Sequence, residues 1–139
     1  MKWILAIPRA IASQNRAPAN RGSTAWRYRK ERTLWFRDIA WSAKVAGVTP
    51  AQAKRTVRIV RLMGKGQREL DVPNLWGGIK VLLDVMCRPT TFRGKARPGA
   101  SLIVDDSPAW IDIAVDQERA EDGVPGTRIT ISETEEQTS

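Results

Sequence analysis

The sequence predicts an α/β (α+β) domain in which a small mixed β-sheet packs with two main helices as a single unit. Its 139 residues suffice for one modest core and are too few for two independent ones. Short apolar runs bounded by Pro, Gly and Asn recur as strand candidates. Two longer segments place apolar residues at helical spacing.

The opening run, residues 1–7 (MKWILAI), reads as a strand stopped by Pro8. Residues 8–32, rich in Arg, Asn, Pro, Gly and Ser, read as mostly loop. From Thr33 the pattern turns helical: Leu34, Phe36, Ile39, Ala40, Ala43 and Ala46 recur at near-helical spacing, and Gly47 is a natural stop. Trp35 and Trp41 fall in this helix as packing residues. A strand follows, with Val57, Ile59 and Arg61 facing one way and Arg58, Val60 and Leu62 the other. That alternation is imperfect and suits a strand covered on both faces.

Residues 68–73 (RELDVP) read as extended, because Pro73 disfavours helix for Val72 before it. Asn74 is the expected cap of a second helix, whose core stripe is Leu75, Ile79, Leu82, Leu83 and Met86. Lys80 and Asp84 share a different face with Gly77. As a surface ion pair they stand in the poorer order, lysine before acid. Residues 87–100 read as a second basic loop and a flexible arm. A strand ending at Asp105 and Asp106, a turn through Ser107 and Pro108, and another strand from Trp110 follow. The last strand begins after a Gly and Pro segment that sets up a hairpin. The expected domain is 1–132, with 133–139 a disordered acidic tail.

Composition removes whole classes of chemistry. The chain has no histidine, so histidine-assisted serine or cysteine nucleophiles and histidine metal centres are unavailable. Cys87 is the only cysteine, which rules out an intrachain disulfide and a cysteine-rich zinc site, and it reads as a small buried residue at a helix end. Hydrolysis would therefore depend on carboxylates, lysines and a hard metal ion. No run approaches the roughly 18 apolar residues of a membrane span, and Pro8 interrupts the first apolar stretch, so the expected location is cytoplasmic.

Charge is unevenly spread. Residues 1–68 carry 16 Lys+Arg against 2 Asp+Glu, a net +14, whereas residues 69–139 carry 7 against 13, a net −6. The first half reads as a polyanion-binding surface, which attracts nucleic acid by phosphate contact and counterion release. Arg and aromatic residues interleave in residues 26–32 (WRYRKER), a composition that fits phosphate contact with base stacking and equally fits a solvated charged helix start. Against this basic background stand two acidic clusters, Asp71 before the second helix and Asp105 with Asp106 after it. If the helix packs across the sheet, the two meet near one edge as an oxygen-rich pocket. Magnesium suits such a pocket, because it takes one or two carboxylates, keeps waters and accepts phosphate oxygens. The plainer reading of Asp105 and Asp106 is a capped turn.

Residues 70–86 (LDVPNLWGGIKVLLDVM) followed by residues 102–110 (LIVDDSPAW) resemble the RusA-like Holliday junction resolvases, a family common in bacteriophages and prophages. The family pattern is an Asp-x-Asp-Asn-Leu segment, a helix bearing a lysine and then an aspartate four residues on, and an Asp-Asp pair. Asp71, Asn74, Leu75, Lys80, Asp84, Asp105 and Asp106 fall on it, and the likeness covers about residues 3–132.

The resemblance implies a magnesium-dependent endonuclease, with manganese as a substitute, acting as a homodimer on four-way or branched DNA. Asp71 and Asp106, with Asp105 beside them, would be the acidic metal ligands, and Lys80 the catalytic lysine. Asn15, Arg16, Arg27, Arg29, Lys30, Arg32, Arg93, Lys95 and Arg97 would bind DNA. Where the family has its second aspartate this chain has Pro73, so Glu69 or Asp84 would have to complete the ligand set. The alternatives are a catalytically impaired junction-binding relative, and a basic structural protein whose Asp-Asp turn is only a turn.

Overall fold

The computed structural model describes residues 1–12 and 21–133, the side chains of 21–25 excepted. The chain runs β1 (Lys2–Ile7), α1 (Arg21–Ala46), β2 (Arg55–Met63), α2 (Val72–Met86), β3 (Thr90–Phe92), β4 (Lys95–Arg97), β5 (Ile111–Arg119) and β6 (Gly126–Glu133). Four strands form a mixed sheet in the order β1-β6-β2-β5, and β3 and β4 form a separate two-stranded hairpin. Two helices against a mixed sheet is the predicted α+β class.

One sheet face carries the core. Trp3, Leu5 and Ile7 of β1 alternate with exposed residues, and Val57, Ile59, Ile111, Ile129 and Ile131 continue the apolar layer across the sheet. Trp35 and Ile39 from α1 and Leu75, Ile79, Leu82 and Met86 from α2 cover it. The opposite face is polar and salt-bridged: Arg58 Nε lies 2.9 Å from Asp116 and Arg128 Nη2 lies 2.8 Å from Glu118. Val60 is fully buried on that face, opposite Asp116 and Arg128 in the two neighbouring strands, so β2 is covered on both sides as its sequence suggests.

Several elements differ from the sequence expectation. α1 begins at Arg21, twelve residues before the expected start at Thr33. Its first half lacks an apolar stripe because residues 26–30 all face solvent, and apolar periodicity reports only a helix with something to bury. Trp35 packs as expected at 3% exposure, whereas Trp41 is 66% exposed and does not. The basic loop 87–100 contains the β3–β4 hairpin, closed by Arg93 (φ 49°) and Gly94 (φ 76°). Two successive positive φ angles match the twist of a two-residue hairpin turn.

The expected strand before Asp105 is instead a series of bends, and β6 does not form a hairpin with β5. β6 lies between β1 and β2, antiparallel to both, while β5 runs parallel to β2 at the edge. β6 also extends through Glu133, one residue beyond the expected domain boundary. Glu133 accepts from the fully buried Arg55 guanidinium at 2.8 Å.

α2 is the central strut. Its N-cap is Asp71, not Asn74: the Asp71 carboxylate accepts the Asn74 N–H at 3.0 Å, with Pro73 in the first turn, where its missing N–H costs nothing. Gly78 faces the segment after β1 so closely that a Cβ there would run into the Ala12 carbonyl and the Ile11 side chain. Gly78→Ala should therefore lower unfolding free energy by about 1–3 kcal/mol, the usual cost of overpacking a filled core. Urea unfolding measures it, and a variant as stable as the parent would show that this approach has slack.

Candidate functional site

The residues marked by the sequence sit at the two ends of α2. At the first end, Asp71 is positioned by the loop before it. The Gln117 side-chain amide on β5 both donates to the Leu70 carbonyl and accepts the Leu70 N–H, each at 2.9 Å. Arg61 Nη1 donates to Gln117 Oε1 and to the Arg68 carbonyl, tying the same loop to β2. Glu69 is exposed beside this clasp.

The second end is built from the chain that wraps the helix C-terminus. The N–H groups of Leu102 and Ile103 both donate to the Met86 carbonyl, at 2.9 and 3.1 Å, and Ala100 N donates to Val85 O. These bonds satisfy carbonyls that the helix end leaves unpaired. Leu102 and Ile103 are buried, and Arg55 Nη1 donates to the Leu102 carbonyl at 3.1 Å. The chain therefore leaves a fixed point and exposes Asp105 and Asp106 two residues later. Their carboxylates and the Cys87 sulfur lie within 4.8 Å of one another.

Asp84 is the junction between this acidic corner and the basic surface. It accepts from Tyr28 Oη at 2.8 Å and from Arg32 Nε at 2.9 Å, and Arg97 Nη1 stands 4.0 Å away. Partial burial by itself would raise the Asp84 pKa. The hydrogen bonds from Tyr28 and Arg32 and the charges of Arg32 and Arg97 more than offset that, holding it below the ordinary carboxylate value. The same contact works the other way on Tyr28, whose hydroxyl burial and Asp84 push up to about 12. Cys87 is pushed up to about 11, first by burial and then by the charges of Asp106, Asp105 and Asp84. At neutral pH this favours the thiol form, which donates to the Leu83 carbonyl at 3.2 Å.

The placement revises the predicted site. Asp71 and the Asp105–Asp106 pair do not meet within one chain, because the 15 residues of α2 separate them by roughly 22 Å at about 1.5 Å per residue. Asp84 is engaged by Tyr28 and Arg32 rather than by Lys80, and no carboxylate among the described residues pairs with Lys80. Arg32 is a strut rather than a DNA contact: it is buried, and its Nη2 donates to the Pro98 carbonyl at 2.7 Å. Arg27, Arg29 and Lys30 are exposed on α1, and Arg93 and Lys95 are exposed on the hairpin. Arg97 is half-buried over the Phe92 ring. Asn15 and Arg16 lie outside the described residues.

The Arg32–Pro98 bond and the Arg97–Asp84 approach bring the hairpin base to α1, so the two basic elements flank Asp84 together. Sequence reasoning missed Tyr28, Gln117 and Arg55 as positioning residues. Only Tyr28 left a signal, standing four residues before Arg32 on one helix face.

Two carboxylates of neighbouring residues fit a magnesium ion that keeps most of its waters, since this ion commonly takes one or two protein carboxylates and fills its shell with water and phosphate. No family model matches the chain, and no curated protein is similar enough to it to count as a match.

The Asp84 contribution to stability is fully present above the ordinary value of 3.8 and is lost as pH falls through the lower folded value. Asp84→Asn should thus be less stable than the parent at pH 7, with the gap closing below pH 3.8. A gap in urea midpoints that stays constant with pH would mean that the Asp84 charge is not what holds Tyr28 and Arg32.

Proposed function

We propose that this chain is a magnesium-dependent, structure-selective DNA endonuclease that acts as a homodimer on four-way or branched DNA, in the cytoplasm of a bacterial host and encoded by a phage or prophage. The observation that carries this reading is the exposed Asp105–Asp106 pair at a corner bordered by two cationic elements, the first half of α1 and the β3–β4 hairpin. Arg27, Arg29, Lys30, Arg93 and Lys95 are exposed and suited to phosphate contact. Asp105 and Asp106 would hold the metal, which when bound would polarise the scissile phosphate and activate a water.

The separation of the two acidic clusters bears on the dimer. In an isologous pair every contact occurs twice, so two α2 helices lying antiparallel across the two-fold axis would carry Asp71 and Lys80 of one protomer to the Asp105–Asp106 end of the other. Two such composite sites suit symmetric cutting of paired strands. Lys80, with no carboxylate competing for its ammonium among the described residues, would stabilise charge developing on phosphorus.

A second reading is a junction-binding protein without cleavage. It is favoured by one observation: the helix start that would supply a second carboxylate holds Pro73, and Asp71 already serves as the N-cap.

The test is nicking of a labelled four-way junction with magnesium, manganese or chelator. The endonuclease reading expects metal-dependent paired nicks that fall at least about a hundredfold in Asp106→Asn, the order of loss seen when one electrostatic catalytic contact is removed. Mixing Asp71→Asn with Asp106→Asn subunits should restore nicking at one site per dimer, because one composite site remains intact. Junction binding without cleavage under either metal would select the second reading. No rescue on mixing, with the parent active, would place all ligands within one chain.

A further inference from the structure

We infer that the open pocket on the first two turns of α2 receives an unpaired nucleobase from bound DNA, stacked on Trp76, with the adjoining phosphate held by Lys80. This rests on the DNA-binding reading and assigns that surface a second element, one that distinguishes unpaired from paired strands.

The pocket holds about 330 Å³ and is lined by Pro73, Trp76, Gly77 and Lys80. That volume is at the lower end of the roughly 300–1,000 Å³ typical of small-molecule sites. The four residues form one stripe, since positions three, four and seven apart on a helix stack on the same face. Their chemistry is matched to one nucleotide unit. Trp76 is 38% exposed, whereas Leu75 and Ile79 beside it are 4% and 0% exposed, so its ring lies on the face of α2 that the core does not use. Pro73 supplies a rigid apolar wall fixed by the first turn of the helix. Gly77 adds no side chain between the indole and Lys80. Lys80 is exposed and pairs with no carboxylate among the described residues, whereas Arg9, Arg32, Arg58 and Arg128 each have one.

An aromatic face beside an uncommitted cation is the combination that single-stranded nucleic acid uses, and stacking tolerates any base because every base has a π face. A base inside a duplex is stacked on both sides and cannot enter. The pocket is therefore selective for a base freed at a branch point, a gap or an end. Within one chain it lies on the Asp71 end of α2, about two turns before Asp84 and apart from the cationic corner at the other end.

The experiment compares a duplex carrying a short single-stranded gap with the same duplex fully paired, using 2-aminopurine in the gap as the probe and no added metal. The parent should bind the gapped duplex more tightly and quench the probe. Trp76→Ala should abolish the quenching at saturating protein and reduce the ratio of gapped to paired affinity by roughly 5- to 150-fold, the range that stacking of one base supports. Trp76→Phe should restore most of that ratio, and Lys80→Ala should lower it while leaving residual quenching.

A ratio and quenching unchanged in Trp76→Ala would overturn the inference while leaving DNA binding intact. Loss of dimer in Trp76→Ala by light scattering, with the ratio unchanged, would assign the indole to subunit contact instead. Equal Trp76-dependent affinity for free dTMP and for the gapped duplex would overturn the nucleic-acid source in favour of a soluble nucleotide. If the parent binds neither duplex, the DNA-binding reading fails first and takes this inference with it.

Discussion

Everything functional in this protein hangs on the rigidity of α2. Seven of its positions, from Leu75 to Met86, are buried, and they lock it against the core layer of the sheet and α1. A helix so held fixes the distance between its ends. Asp71 is attached to one end as the cap, the Asp105–Asp106 loop is hydrogen-bonded to the other, and Trp76, Lys80 and Asp84 are spaced between. The two acidic clusters cannot drift together within one chain without unpacking the core, which costs more than a metal ion held by a few carboxylates returns. The helix therefore sets the terms of any mechanism: either a partner chain brings the clusters together, or they act apart.

Electrostatics explains why a basic protein keeps carboxylates at this place. Asp84 is partly buried, and its charge is supported by a phenol, a guanidinium and a second, more distant guanidinium. Such a group is a structural anion. It gathers α1 and the hairpin around itself, and those two elements then present their remaining cations outward. Asp105 and Asp106 differ from it in being exposed, with no arginine among the described residues paired to either. One carboxylate is used to assemble the basic surface and two are left open at its edge. Phosphate approaching the edge would meet cations first, whose attraction is long-ranged, and the carboxylates only at contact.

Much of the fold was legible in the chain. β1, β2, β5 and β6 follow short apolar runs, and the core stripe of α2 was readable from Leu75, Ile79, Leu82 and Met86, all buried. The misses share a cause. The described first part of α1 carries no apolar periodicity because residues 26–30 all face solvent, so this stretch of the helix looked like loop. The β3–β4 hairpin is three residues per strand and fully polar at its turn, too short for alternation to register. The segment before Asp105 is apolar like a strand, but Leu102 and Ile103 are buried against the end of α2 and spend their N–H groups on one helix carbonyl, not on a sheet.

The site was legible as a set of residues and not as an arrangement. By itself the sequence determined which chemistries are open, because the absence of histidine and the single cysteine are facts of composition. It also determined the charge asymmetry and the identity of the carboxylates, lysine and arginines on offer. Only the tertiary structure decided which of them meet. Asp84 turned from Lys80, four residues away on its own helix, to Tyr28 and Arg32, more than fifty residues away, because packing α1 on α2 brings both donors within hydrogen-bond reach of it. Gln117 holds Leu70 across 47 residues, and Arg55 reaches Glu133 across 78. Local spacing encodes which face a side chain takes, but partners that far apart in the chain are chosen by the register and packing of the whole sheet.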